Sequence, residues 1–523
     1  MVGLKRLTSL KEDPVKPYSQ LSVVHDDFAA TRTRMDDMLE RLGGEAMMSC
    51  TQEALEDYLT VAGRELLRQA AQDQLDARAR VEARRARVTG ADQVVRRWAE
   101  RGHRRAVLST LGRLEVDRIA YRAPGVANLH PADAVLSLAP ELYSRPLQRA
   151  VVHEVATGSL RAAAQALDRT TGQQLGTRQL MEVCRRAAAD IPDFYRGQPT
   201  AAPGPAGSDL LVLTCDATGV NMIPADLRAA VRATARTRAD TGPQPPSAQL
   251  SSRDHTGRRR MATVTAVYDA VPVPRTAADV LPATGTERAA RRPGPRATGR
   301  TVDASLQHTT AEMVTTMFDR AAARDPGHRR RWIVLVDGAN HQLDCIQQEA
   351  GARRVDVDIV VDFIHVLEYL WKAAEDLHPG RPARTAQVAE HARAVLEGHS
   401  ARVVADLRAQ ARARRADGGP ALPGLERATA YLEAKEPYLA YHIALALGWP
   451  IATGVIEGCC RHLIKDRLDI TGARWSLAGG EAVLLLRAVL DNGDFDAYWR
   501  YHADRDHQRH HTSRYQHEYA TAA

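Results

Sequence analysis

The sequence predicts an α/β protein: a mixed sheet with acids at its strand ends, interrupted by an all-helical insertion and preceded by a mostly helical amino-terminal region. Three observations carry that prediction. Ile333 to Val336 is an unbroken run of β-branched and Leu residues ending at Asp337 and Gly338, as in a strand buried on both faces. Val355 to Val361 alternates Val with Asp, then turns fully apolar and ends at Asp362. The residues between these runs, roughly 340 to 352, suffice for one crossover helix, so the two strands are expected to be parallel. Beyond Trp371, about eighty residues show helical spacing and no strand signal.

A chain of 523 residues exceeds what one core can hold, and roughly three or four domains are expected. The net charge of +7 comes from Arg far more than Lys. Genomic base composition accounts for the excess as readily as function does, but it explains clustering less well. Arg78, Arg80, Arg84, Arg85, Arg87, Arg96, Arg97, Arg101, Arg104 and Arg105 fall in one short stretch, and Arg is suited to phosphate. The six cysteines form no CxxC pair and no zinc-ligand spacing, so reduced thiols are expected. The first residues, MVGLKRLTSLKEDPVK, lack a continuous apolar core, and no apolar run reaches membrane-spanning length. The expectation is a cytoplasmic protein with no membrane partner, associated with the nucleoid when it acts.

In chain order, residues 1–101 are expected to be a helical amino-terminal region beginning with a loose tail of about 25 residues. Residues 102–140 read as a small β-hairpin module, two short alternating strands about Gly112. Residues 141–200 read as a helix-turn-helix-like DNA-binding domain with helices over 145–156, 159–169 and 177–189. Ser159 and Thr177 are its N-caps, and Gly158 and Gly172 are its joints. Arg178 and Arg185, with Gln179 and Arg186, are placed to face a groove. Short three-helix units are also common without that role.

The first part of an α/β core is expected over 208–377. It opens with LLVLTC running into Asp216, and Met261 to Tyr268 forms a strand antiparallel beside it. Arg258, Arg259 and Arg260 then lie along the sheet's rim as DNA contacts. Residues 282–300 read as a flexible loop, followed by a helix over 309–323. The helical insertion spans 378–450, and the second part of the core, 451–495, carries GVIEGCCRHLIKDRLDI after a capping Thr453. Glu457, Arg461 and Lys465 follow at i, i+4 spacing and so share one helix face. Residues 496–523 are expected to be a disordered tail.

Asp216, Asp337 and Glu457 stand about 120 residues apart, a spacing no local pairing requires. Each Asp alone reads most simply as an ordinary strand end. Together they suggest a hard-cation site, since carboxylates gathered from such distances repel unless a cation holds them. Two Mg²⁺ ions, with Mn²⁺ as substitute, could there activate water or a hydroxyl and stabilise the leaving oxygen of a phosphodiester.

The runs CDATGV at Asp216, LVDGAN at Asp337, DFIH at Asp362 and GVIEGCCRHLIKDRLDITGARWS around Glu457 resemble the DDE transposases of bacterial insertion sequences, in particular the Kra group. These are relatives of the Mutator-like elements with a ribonuclease H-like core. STLGRLEVDRIAYR, LSLAPELYS and RRAAADIPDFY resemble the family's amino-terminal half, so the resemblance covers residues of about 100 to 500. It implies that Asp216, Asp337 and Glu457 are catalytic and hold two divalent ions. It further implies the first Asp on the first strand, the second after the fourth, and the Glu on a helix after the fifth, just past a helical insertion. DFIH is similar to the family's C/DxxH motif. It leaves Asp362 and His365 three readings: catalytic or phosphate-orienting, a structural hydrogen-bonded pair, or Asp362 replacing Asp337 as the second ligand. Arg461, Lys465 and Arg474 are placed to bind phosphate and Trp475 to stack on an unpaired base, although a Trp at a helix junction is as often core.

The expected function is therefore a transposase that binds double-stranded DNA at the element's terminal repeats, cleaves the ends and joins them to target DNA as a homodimer or larger assembly. A structure-specific nuclease on the same core and a non-catalytic DNA-binding protein are the alternatives. An aspartyl-phosphate phosphatase would need a second Asp where Thr218 stands, and neither GxxxxGK[ST] nor a strand-borne GxGxxG is present.

Overall fold

The computed structural model describes residues 26–197, 209–227, 259–282, 285–416, 421–470 and 472–516. The chain divides into two compact units, residues 145–508 and residues 1–144 with 509–523.

The larger unit begins with α1 (Arg145–Thr157), α2 (Leu160–Thr171) and α3 (Thr177–Ala188). Ser159 caps α2 by accepting from the Ala162 N–H, and Gly172 ends it with φ 69°, the left-handed geometry that favours glycine. The cap of α3 differs from expectation. Gly176 is the N-cap, Thr177 is already helical, and the Gln179 side chain accepts from the Gly176 N–H at 2.8 Å. A Gln three residues into a helix can satisfy the first donor without a hydroxyl before it. Gln179 is thereby turned to its own helix end.

A five-stranded sheet follows, built from β1 (Leu210–Asn221), β2 (Arg259–Ala270), β3 (Ala297–Ser305), β4 (Arg331–Val336) and β5 (Asp358–Val361). Its order is β5-β4-β1-β2-β3. β4 and β5 are parallel, as are β1 and β4, whereas β2 runs antiparallel to both β1 and β3. The expected pairings of β1 with β2 and of β4 with β5 are thus present.

Unbroken apolar runs in β1 and β4 follow from helices on both faces. Ile333 and Leu335 join Leu210, Val212 and Val360 in one core. Val334 and Val336 point the other way and join Leu211, Leu213 and Phe318 in a second. The second core is closed by α4 (Thr310–Arg324) and α5 (Asn340–Arg353). The first is closed by α6 (Phe363–Leu377) and the insertion, which comprises α7 (Arg381–Leu396), α8 (Ser400–Ala416), α9 (Pro423–Lys435) and α10 (Tyr441–Ala446). Each fully buried Leu, Ile, Val or Phe here contributes about 1.5–3 kcal/mol. The chain returns to the sheet through α11 (Gly454–Cys460) and α12 (Leu477–Asp491).

Three expectations are corrected. The predicted loop over 282–300 contains the start of β3, whose Val302 N–H donates to Asn492 at 2.8 Å and whose end is tied by Glu481. Partners distant in sequence, not its own Gly- and Arg-rich composition, make it a strand. The tail expected to be disordered opens with a helix, α13 (Phe495–His510). Phe495, Tyr498, His502 and Asp506 form a buried stripe at helical spacing, and His502 Nδ1 lies 2.7 Å from Asp190. Polar residues conceal that stripe in the composition. In the smaller unit, helices Ala29–Gly43 and Gln52–Val81 appear as expected, but helix ends at Val81. Short antiparallel pairs, Val88–Thr89 with Val95–Arg96 and Trp98–Glu100 with Ala120–Arg122, replace the predicted helix up to Arg101. The hairpin of Arg105–Ser109 and Gly112–Val116 matches its prediction.

Candidate active site

β4 and β5 are paired with Val336 opposite Val361, so Asp337 and Asp362 leave the same edge of the sheet side by side. Asp337 enters a turn through Gly338, whose φ of 87° is left-handed. A Cβ there would lie 3.1 Å from the Tyr431 hydroxyl and 3.2 Å from Val361, so both backbone and space call for glycine. The Ala339 N–H donates to Asp337 Oδ1 at 2.9 Å, and the Tyr431 hydroxyl of α9 donates to the Asp337 carbonyl at 3.0 Å. Tyr431 stacks on Tyr369 with ring centroids 3.9 Å apart. The insertion therefore backs the turn that presents Asp337.

Asp362 is the N-cap of α6 and is fully buried. Its carboxylate accepts from the Ile364 N–H at 2.9 Å and from the Thr453 hydroxyl, and His365 Nδ1 lies 3.2 Å from the same oxygen that Thr453 meets. Both oxygens are thus engaged within the protein.

Asp216 lies midway along β1, opposite Val264 of β2. The Cys460 thiol, at the end of α11, donates to Asp216 Oδ2 at 3.4 Å, and the Ala217 N–H meets Oδ1 at 2.6 Å. Glu457 is exposed on α11, one turn before Cys460. Its Oε1 lies 3.2 Å from Thr453 Oγ1. A Cys460–Asp216 contact and a Thr453–Asp362 contact therefore bring the Glu457 helix to the acid-bearing strands.

Electrostatics tie these groups together. Burial raises the Asp216 carboxyl above the ordinary carboxylate value, and the charge of Asp337 pushes the same way; the Ala217 N–H, the thiol and His365 oppose them. The hydrogen bond to Asp362, with the charges of Asp337 and Glu368, raises His365 to about 8 against its partial burial, so it is protonated at neutral pH. Lys435 of α9 is pushed down by burial while Asp337 and Asp344 pull it up, and its Nζ donates to Asn340. Among the described residues, no three His, Cys, Asp or Glu side chains are grouped so as to hold a metal ion. Asp216 and Asp337 lie within electrostatic reach of one another, and Glu457 stands on the helix whose Cys460 meets Asp216, but the three carboxylates are not gathered into a cage. In chemistry, three carboxylates of unequal burial suit a hard cation that keeps several waters.

The expected DNA-contacting residues fall into different surroundings. Arg258 lies outside the described residues. Arg259 and Arg260 stand opposite Asn221 and Val220 at the far end of β1. Arg259 lies 3.4 Å from Asp469, and Arg260 donates to the Leu306 carbonyl at 2.7 Å. Arg178 and Arg185 are exposed on α3, two turns apart. Arg461, Lys465 and Arg474 are exposed. The helix bearing Glu457, Arg461 and Lys465 is not regular throughout: a π turn spans Arg461–Lys465, with the Asp466 N–H reaching the Arg461 carbonyl at 2.9 Å. Trp475 is corrected. It is buried, its indole N–H donates to the Leu468 carbonyl at 3.0 Å, and Arg467 covers its ring at 4.8 Å, which leaves no open face for a base.

Thr453, Cys460, Tyr431 and Lys435 were not singled out as site residues by sequence. Only Thr453 had a signal, its i, i+4 spacing to Glu457. The other three depend on packing between segments.

No family model matches this sequence, and no curated protein matches it. Among solved structures the chain is similar to the Drosophila P element transposase strand transfer complex, at a TM-score of 0.23 and 9% identity over 70% of this chain and 80% of that one. At that score the likeness carries no argument, so a functional reading rests on the residues. No described helix is long and apolar enough to cross a membrane.

Proposed function

We propose that the chain is a metal-dependent DNA transposase with a ribonuclease H-like core. The observation that carries this reading is the meeting of Asp216, on the sheet's central strand, with the helix that bears Glu457, while Asp337 ends the adjacent parallel strand. Three β strands running antiparallel, then two parallel ones, with a helical insertion before the Glu-bearing helix, fit the order that the family resemblance implies.

Asp216, Asp337 and Glu457 would hold Mg²⁺ or Mn²⁺, two ions per site, which when bound supply an activated water and offset charge on the phosphodiester. The protein's own part is to place these acids in different surroundings. Burial holds the Asp216 carboxyl above the ordinary carboxylate value, and His365, charged through Asp362, presents a cation to a phosphate at the same end of the sheet. Exposed Arg461, Lys465 and Arg474 extend that positive lining, and Arg178 and Arg185 on α3 offer a second contact to duplex DNA. Hydrolysis at element ends frees a 3′-hydroxyl, whose oxygen then attacks a target phosphodiester as the target's own 3′-oxygen leaves. Two ends held together require a dimer or larger assembly.

The test is nicking of DNA carrying the element's ends, with Mg²⁺ or Mn²⁺ against EDTA. Asp216→Ala, Asp337→Ala and Glu457→Gln are expected to abolish nicking while binding to the ends persists. Undiminished cleavage in any of them removes that residue from the site, and cleavage without joining to target DNA favours a nuclease.

A further inference from the structure

Thr453 occupies the N-cap position of α11, yet its hydroxyl makes no capping bond. A Thr there ordinarily accepts from a backbone N–H two or three residues on, a bond worth about 1 kcal/mol. Instead Oγ1 lies within hydrogen-bond reach of two carboxylates, Asp362 Oδ2 and Glu457 Oε1, the latter at 3.2 Å. Thr453 is 3% exposed and Asp362 is 0% exposed. The backbone fixes the geometry on both sides. The Asp362 N–H donates to the Val336 carbonyl at 2.8 Å, and the Phe363 N–H donates to the Ile451 carbonyl at 2.9 Å, strapping the segment before Thr453 to the end of β5.

A hydroxyl has one proton and cannot satisfy two carboxylates at once. Asp362 Oδ2 also has His365 Nδ1 at 3.2 Å, so the buried acid keeps a donor when the Thr453 hydroxyl donates to Glu457 Oε1. We propose that Thr453 is a positioning residue: it holds Glu457 against the buried Asp362–His365 pair and turns that carboxylate toward the cation. This rests on the reading above, in which Glu457 is a metal ligand.

The experiment measures Mn²⁺ binding to the full chain by calorimetry, alongside Mg²⁺-dependent nicking and thermal melting. Thr453→Val keeps the shape and deletes the hydroxyl, and Thr453→Ser restores it. Expected is a loss of about tenfold or more in Mn²⁺ affinity for Thr453→Val, the size typical of groups that orient a metal's ligands, with Thr453→Ser within about threefold of wild type. Should Thr453→Val fail to fold, Thr453→Ala takes its place. Equal Mn²⁺ affinity in wild type and the hydroxyl-less variant, or a Ser variant as weak as Val, overturns the proposal, as does a wild type that binds no Mn²⁺. Mn²⁺ binding that depends on the hydroxyl without any nicking upholds the role of Thr453 and counts against the transposase reading alone.

Discussion

The turns after β4 and β5 begin alike, each an apolar parallel strand ending in Asp, and they finish as opposites. Asp362 spends both oxygens on the Ile364 N–H, Thr453 and His365 and has no exposed surface. Asp337 gives one oxygen to the Ala339 N–H, remains partly exposed, and is braced at its backbone carbonyl by Tyr431. A carboxylate already satisfied by protein donors has little to offer a cation, whereas one with lone pairs directed outward does. The difference favours Asp337 as the ligand and Asp362 as the anchor of His365, against the alternative in which Asp362 takes the ligand's place.

The comparison can be broken most directly through activity. Asp337→Asn is expected to lower Mg²⁺-dependent nicking by about 10²- to 10³-fold or more, with little change in melting temperature. The opposite pattern, large unfolding with retained nicking, would exchange the two roles. Asp362→Ala should act first on stability, costing about 3 kcal/mol as Thr453, His365 and the Ile364 N–H lose a shared buried acceptor, read as a lowered melting temperature.

Smaller effects sharpen the contrast. His365 is raised to about 8 in the folded chain, so the stability it contributes is complete below its unfolded value near 6.5 and is lost as pH rises through about 8. Melting of His365→Gln against wild type should show a gap at pH 6 that closes by pH 9, and Asp362→Ala should remove that pH dependence. Asp216 is raised by burial and by Asp337, so the stability present below the ordinary carboxylate value is lost as pH climbs through the folded one. In EDTA, Asp216→Asn should therefore melt a few degrees higher than wild type at pH 7, with the gain vanishing near pH 3. A variant that melts lower at pH 7 would mean that the charged form is welcome there.

The strands carrying Asp216, Asp337 and Asp362 were legible because burial on two faces leaves unbroken apolar runs that few other elements produce. The same logic failed for β3, where a single edge strand draws its order from Glu481 and Asn492, far away in sequence. Helices were legible wherever one face is apolar, including the whole insertion. They were illegible in α13, where the buried stripe includes His502 and Asp506. In the site, acids at strand ends could be read from spacing, but the environment of each could not. Whether an Asp is free or saturated depends on Thr453, Cys460 and Tyr431, which approach from other elements. Trp475 shows the converse, since an aromatic beside basic residues reads as a base platform until its neighbours are seen to cover it.

Tyr431 and Lys435 reach the Asp337 turn from the far end of a helix that belongs to the insertion, not to the sheet. Excising that stretch and bridging its ends with a short linker would therefore not leave the sheet's acids as they stand. It would strip the buttress from the one acid whose carboxylate is otherwise held by a single turn of backbone.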